Sequence, residues 1–243
     1  MDNIKFENIA ENISIAQDSR GLLLTTDACL LSAFVSKNAK QKACELGAGS
    51  GIISAMLLLQ KKINSAVCVD FQPDICDIAY QNAEKNGLSE KMTVVCSDVL
   101  EYKTEKKFDA VLSNPPYFKT GDGRKNEREQ DRLSRHESTA TVYDFAACAS
   151  RILKDGGIAY FCYTPSRLSE LICALSGTGL EPKKLITVYP TKDHKPSLVL
   201  VSAKKGAEPG IDCTRPLIIY KDKPGKEFTE DYIRIKKENR IDL

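Results

Sequence analysis

Between an apolar run at 42–46 and a helix-like run at 52–62, the chain reads Glu45-Leu46-Gly47-Ala48-Gly49-Ser50-Gly51. Three glycines at alternate positions free the backbone to turn sharply and to approach a ligand closely. A strand, a glycine turn and a helix in that order open a strand–helix–strand unit, and such units build parallel sheets. On its own the loop has two readings. It is a tight strand–helix turn, or it is a cradle for a nucleotide-like ligand at a strand end.

The pattern repeats along the chain. Strands are expected at 65–70, 92–97, 108–113 and 158–163, separated by helical patterns at 73–86, 142–153 and 166–175. Pro73 suits a first helical position and Gly87 the residue just past a helix end. Two last strands, 185–189 and 198–203, are joined by 190–197, too short for a parallel crossover, so they should pair antiparallel. The expectation is an α/β fold with a doubly wound, mostly parallel seven-stranded sheet and an antiparallel final strand pair. Residues 1–243 read as one domain, with 1–41 as an N-terminal cover and 206–243 as a tail that has a strand-like stretch at 216–220. Right-handed crossovers place the strand carboxyl ends on one rim, where ligands bind.

Composition narrows the setting. Hydrophobic residues make up 42% and charged residues 28%, as in ordinary soluble domains. The net charge of +2 gives no bulk signal for nucleic acid, so any basic patch must be local. The nine cysteines include no Cys-x-x-Cys pair, which argues against a disulfide framework and against a zinc site; no metal is expected. They read as small buried hydrophobes of a reducing compartment. The first fifteen residues carry Asp2, Glu7 and Glu11 and lack the apolar stretch of a signal peptide. No run reaches the length of a membrane span, so a cytoplasmic protein is expected.

The ends of the next strands sharpen the glycine loop. Asp70 ends the second strand, where a carboxylate accepts from both hydroxyls of a ribose; its alternative is a helix cap ahead of Pro73. Asp98 follows the third strand, where a side chain meets an adenine edge or caps the turn at 99–102. After the fourth strand comes Asn114-Pro115-Pro116-Tyr117. An amine on a planar ring is a poor nucleophile, because its lone pair is delocalised into the ring. An asparagine oxygen and a neighbouring backbone carbonyl accept both amine protons and draw the nitrogen toward a tetrahedral shape. Two prolines hold those acceptors in place, and Tyr117 offers a face on which a base stacks. The plain alternative is a proline turn ending a strand.

The order glycine loop, Asp70, Asp98, Asn-Pro-Pro-Tyr resembles the class I methyltransferases that act on amino or amide nitrogens. Further matches are Gln17, Gly21, Asp27-Ala28 with Leu30-Leu31, Arg135-His136-Glu137, Pro165-Ser166-Arg167, Lys205-Gly206 and Pro216-Leu217-Ile218-Ile219-Tyr220. With these the chain is similar to the tRNA(Val) adenine-N(6) methyltransferase family over nearly its whole length. The resemblance implies a Rossmann-like sheet and S-adenosyl-L-methionine as methyl donor. It implies an adenine amine just 3′ of a tRNA anticodon as acceptor. By the same resemblance Glu45, Gly47, Gly49, Gly51 and Asp70 bind the donor with Asp98 near its adenine, while Asn114, Pro115 and Tyr117 hold the target base with Pro116 beside it. One departure stands out: the family often has an aromatic pair where this chain has Leu22-Leu23-Leu24. That segment touches substrate or covers the donor.

Two segments are candidates for RNA contact. Residues 118–141 mix Lys119, Arg124, Lys125, Arg128, Arg132 and Arg135 with Asp122, Glu127, Glu129 and Asp131. They form a phosphate-contacting loop or a solvated one, and His136 either orders the loop or touches substrate. Residues 183–205 hold six lysines, Lys192 and Lys195 among them, against Asp193 alone, which suits a nucleic-acid backbone or simply exposed strand edges. The alternatives to a tRNA adenine enzyme are a glutamine methyltransferase of a release factor and a guanine-amine methyltransferase of ribosomal RNA. The former usually carries an extra N-terminal helical domain, and the 41 residues before Lys42 are too few for one. DNA methylation normally needs a target-recognition domain for which no segment has room. A binding module without chemistry is disfavoured by the intact Asn114, Tyr117 and glycine loop.

Overall fold

A computed structural model of the chain describes residues 4–10, 13–18, 25–116 and 140–243, the first two segments as backbone. Strands β1 (Ile4–Ala10) and β2 (Ile13–Asp18) pair antiparallel as a separate two-stranded sheet. Helix α1 (Thr26–Phe34) follows, its Thr25 side chain capping the first turn through Ala28 N–H.

The main sheet begins with β3 (Lys42–Leu46), α2 (Ile52–Leu59), β4 (Ser65–Asp70), α3 (Pro73–Lys85), β5 (Met92–Cys96) and β6 (Phe108–Ser113). Then come α4 (Val142–Ile152), β7 (Leu153–Tyr163), a 3-10 turn at Pro165–Arg167, α5 (Leu168–Gly177), β8 (Leu180–Tyr189) and β9 (Leu198–Lys205). Two short strands, β10 (Asp212–Cys213) and β11 (Leu217–Ile218), and helix α6 (Glu230–Glu238) end the chain. The sheet order is β10-β8-β9-β7-β6-β3-β4-β5, with β11 also on β8. Neighbours from β5 to β7 run parallel, and β9 is antiparallel to both β7 and β8.

The doubly wound architecture and the antiparallel final pair match the sequence expectation. The strand count does not: the sheet has nine strands rather than seven. The two additions, β10 and β11, are two residues long and lie parallel along the edge strand β8, where their backbone groups cover an open edge. Strand β8 also starts five residues earlier than expected, at Leu180, because the register shifts between Pro182 and Lys184 and breaks the simple alternation.

Successive residues of the central strands feed opposite layers. Ala110, Leu112, Tyr160 and Cys162 pack with Leu30, Leu31, Leu57 and Tyr232, on the side of α1, α2 and α6. Val111, Phe161 and Tyr163 pack with Phe145, Ile152 and Leu171, on the side of α4 and α5. Five cysteines are buried, while Cys96, Cys173 and Cys213 are exposed and Cys29 is intermediate, so the reading of cysteines as core residues holds for the majority only. Among the described residues no helix is long and apolar enough to cross a membrane.

Candidate active site

The strand order reverses between β3 and β6. Chain leaving β3 goes one way and chain leaving β6 the other, so the two loops part and leave a crevice at the carboxyl ends. Leu46 pairs with Ser113, which makes Gly47 and Asn114 the first residues of the two lips. Beneath them the buried Ser113 Oγ donates to Leu46 O at 2.9 Å and ties the strand ends together.

The glycine loop is moored to β4. Gly47 and Ala48 N–H both donate to Val69 O, at 2.9 and 3.0 Å. Gly49 N–H donates to Asp70 Oδ2 at 2.9 Å. Gly49 has φ +55°, and a Cβ there would meet no heavy atom within 4 Å, so this stretch of backbone faces open space that a ligand can fill. Gly51 is held by packing instead. Its φ is +71°, a conformation that strains any other residue, and a Cβ would lie 2.2 Å from the Met92 methyl, which would have to move aside.

The two acids of this half are buried. Glu45 Oε2 accepts from Ser54 N–H at 3.0 Å and from Ser54 Oγ at 2.5 Å, which fixes the start of α2 under the loop. Burial pushes the Glu45 carboxyl up to about 7, against the pull of the Ser54 hydrogen bonds. Asp70 Oδ1 accepts from Gln72 N–H at 3.1 Å. Burial raises its carboxyl too, opposed by the Gly49 and Gln72 N–H groups. Gln72, not Asp70, takes the N-cap position of α3. Asp98 is half-buried one strand over; its Oδ1 accepts from Leu100 N–H at 2.9 Å and its carbonyl from Glu101 and Tyr102, so it does cap the turn at 99–102.

On the other lip Asn114 is half-buried, Pro115 buried and Pro116 exposed. Tyr117, Arg135, His136 and the segment Leu22-Leu23-Leu24 lie outside the described residues. Lys192 and Lys195 are exposed on the turn between β8 and β9. That turn is at the same rim as the crevice, since β8 runs parallel to β7, and it sits two to three strands from β6, roughly 10–15 Å away. The buried Thr191 shapes it, with Oγ1 2.7 Å from His194 Nδ1.

Several residues here were not singled out from the sequence. Phe145 closes the rear of the loop, 3.1 Å from where a Gly47 Cβ would be. It is placed by a capping box in which Asp144 Oδ2 accepts from Thr141 N–H and Oγ1, both at 2.7 Å. The Thr141-x-x-Asp144 spacing ahead of an apolar run carries that signal. Ser54 and Ser113 carry no such signal, because Ser54 reaches from α2 back to β3 and Ser113 across to the neighbouring strand. Arg167, by contrast, belongs to the Pro165-Ser166-Arg167 match noted in the sequence; at the end of the 3-10 turn it lies 5.7 Å over the Tyr163 ring and pairs bidentately with Glu170 at 2.5 and 2.7 Å.

The chain matches the family model of the methyltransferase small domain over residues 23–161. Among curated relatives, the tRNA1(Val) (adenine(37)-N6)-methyltransferase of Parabacteroides distasonis is 28% identical over 82% of this chain and 84% of its own length. The protein of the same name from Vibrio campbellii is 22% identical over 94% of this chain and 92% of its own. Among solved structures, a chain from Agrobacterium tumefaciens described as a predicted O-methyltransferase superposes with a TM-score of 0.69 at 21% identity, covering 90% of this chain and 98% of that one. TYW2 of P. horikoshii in complex with MeSAdo gives 0.60 at 15% identity, over 85% and 73%. At these identities the structural likeness establishes the fold.

Proposed function

Because the chain belongs to the methyltransferase small domain family, we propose that it transfers the methyl group of S-adenosyl-L-methionine to the exocyclic amine of an adenine in tRNA, next to the anticodon. One observation carries this reading. The glycine loop and Asn114 form the two lips of a single crevice at the switch point, tied beneath by the Ser113–Leu46 hydrogen bond. The names of the full-length relatives supply the acceptor, an adenine of tRNA. An enzyme of this kind works in the cytoplasm.

The residues present fit the donor. Gly49 offers an open backbone face, and Asp70 is held at the loop edge by the Gly49 and Gln72 N–H groups with lone pairs to spare for ribose hydroxyls. Asp98, at the next strand end, meets the adenine edge while keeping its turn. Glu45 serves the donor through the loop it supports, and Gly51 through the close seating of α2. The donor brings a methyl already activated by its positive sulfur, so the protein's share is placement.

On the acceptor side, the Asn114 oxygen and a neighbouring carbonyl accept the two amine protons and turn the nitrogen lone pair toward the methyl. Pro115 and Pro116 keep those acceptors rigid. Tyr117 stacks on the base. The proton leaves after transfer, so no general base is required. Arg135, His136, Lys192 and Lys195 take the RNA around the target.

Incubation with labelled donor and, in separate tubes, total tRNA, ribosomal RNA, duplex DNA and a release factor tests this function. Label in tRNA is expected. Label in the release factor or in ribosomal RNA, with none in tRNA, overturns it.

A further inference from the structure

Two cysteines meet beside Asp70. Cys96 ends β5 and pairs in register with Asp70, while Cys76 lies in the first turn of α3, its N–H bonded to Gln72 O at 2.9 Å. The Cys76 thiol donates to Asp70 O at 3.4 Å and the Cys96 thiol to Phe71 O at 3.9 Å. Cys96 lies close enough to Cys76 to help raise its thiol. They thus hold the consecutive carbonyls of Asp70 and Phe71, at the turn whose Asp70 carboxylate accepts from Gly49 N–H. Cys76 is buried and Cys96 exposed. Neither belongs to the donor or acceptor machinery described above, and a packing role explains a buried thiol but not an exposed one facing it.

We propose that Cys76 and Cys96 are a modification site: a dithiol that a hydroperoxide converts to a disulfide and that thereby lowers affinity at the donor site. The regulatory part rests on the donor reading of Asp70. The chemistry starts at Cys96, the sulfur that solvent reaches. Burial above all pushes the Cys76 thiol up to about 12, so it stays protonated at neutral pH and is the second to react. The Cys96 thiolate attacks one peroxide oxygen, the O–O bond breaks, and the other oxygen leaves as water after taking a proton, giving a sulfenic acid. Cys76 sulfur then attacks the Cys96 sulfur; the S–O bond breaks, and hydroxide leaves as water with the Cys76 proton. The net change is two thiols and one hydroperoxide to one disulfide, one water and one molecule of water or alcohol.

The structural consequence is direct. A disulfide is about 2 Å long, shorter than any non-bonded contact between two sulfurs, so forming it draws the first turn of α3 and the end of β5 together. Both S–H donors to Asp70 O and Phe71 O are lost with the hydrogens. The turn that aims Asp70 at Gly49 shifts.

The test treats the full chain with hydrogen peroxide and maps its peptides by mass spectrometry without reduction. A linked pair of peptides containing Cys76 and Cys96 is expected, absent from Cys96→Ser and Cys76→Ala. Oxidation of Cys96 to sulfinic acid with no linked pair overturns the proposal. Donor binding is then measured by calorimetry on reduced and oxidised protein. An affinity about fivefold weaker on oxidation, the size of one lost weak hydrogen bond, restored by a dithiol reductant and abolished in Cys96→Ser, is expected. A linked pair with unchanged affinity overturns the regulatory part. Failure of the reduced protein to bind donor at all overturns the donor reading, and the peptide map still decides the dithiol.

Discussion

Replacing Glu45 with Gln separates the cost of a buried charge from the worth of its hydrogen bonds. The folded carboxyl titrates at about 7 against 4.5 when exposed. Between those values the folded protein holds a proton that the unfolded chain has lost, so stability falls as pH rises through this window and stays reduced above it. The gap corresponds to about 3 kcal/mol at alkaline pH. Glu45→Gln keeps an acceptor for Ser54 N–H and Oγ but carries no charge. Urea denaturation of both proteins should show the variant gaining about 2–3 kcal/mol on the wild type between about pH 5 and about pH 8.5. Titrating groups that do not interact with Glu45 cancel in the difference. A difference that is flat across that range refutes the reasoning that desolvation governs this carboxyl.

The other perturbations are simpler. Gly51→Ala should cost about 2 kcal/mol, read by thermal denaturation, since the residue must hold positive φ and displace the Met92 methyl. Gly49→Ala should cost only about 1 kcal/mol of stability yet weaken donor binding in calorimetry more than about tenfold, because its Cβ enters open space meant for ligand. Lys62, whose ammonium donates to Ser32, Ala33 and Asn239 carbonyls, joins the ends of α1 and α6; Lys62→Met should cost about 2 kcal/mol. Burial lowers Lys62 to about 8 from 10.5, so between those values the unfolded chain holds the extra proton and the wild type gains stability with rising pH. The variant should lack that rise in denaturation scans.

The core of the site was legible because it is local. Strands 42–46, 65–70 and 108–113 are short, mostly apolar segments with residues of chemical use at or just past their ends, and all three fall at the expected positions. The glycine loop, Asp70 and Asn114 therefore fall on one rim by sequence pattern alone. Contacts between elements left no trace in the sequence where Ser113 reaches Leu46 on the next strand and Ser54 of α2 holds Glu45, whereas Phe145 behind Gly47 follows the Thr141-x-x-Asp144 spacing. The hairpin at 4–18 was folded into a general cover, although Ile4 and Phe6, then Ile13 and Ile15, alternate with polar residues as strands do. The edge strand β10 is too short to carry any period, while β11 lies within the strand-like stretch expected at 216–220. Asp98 shows why two readings of one residue need not exclude each other: it caps its turn and still stands at the rim.

The central claim is methyl transfer to an adenine amine, organised by Asn114 opposite the glycine loop. The most direct measurement incubates tRNA with the protein and donor, digests the RNA to nucleosides and identifies the product by mass spectrometry, alongside Asn114→Ala. The account predicts N6-methyladenosine with the wild type, and none with the variant although calorimetry finds its donor binding nearly intact. Methylated guanosine, or undiminished N6-methyladenosine from Asn114→Ala, would contradict it.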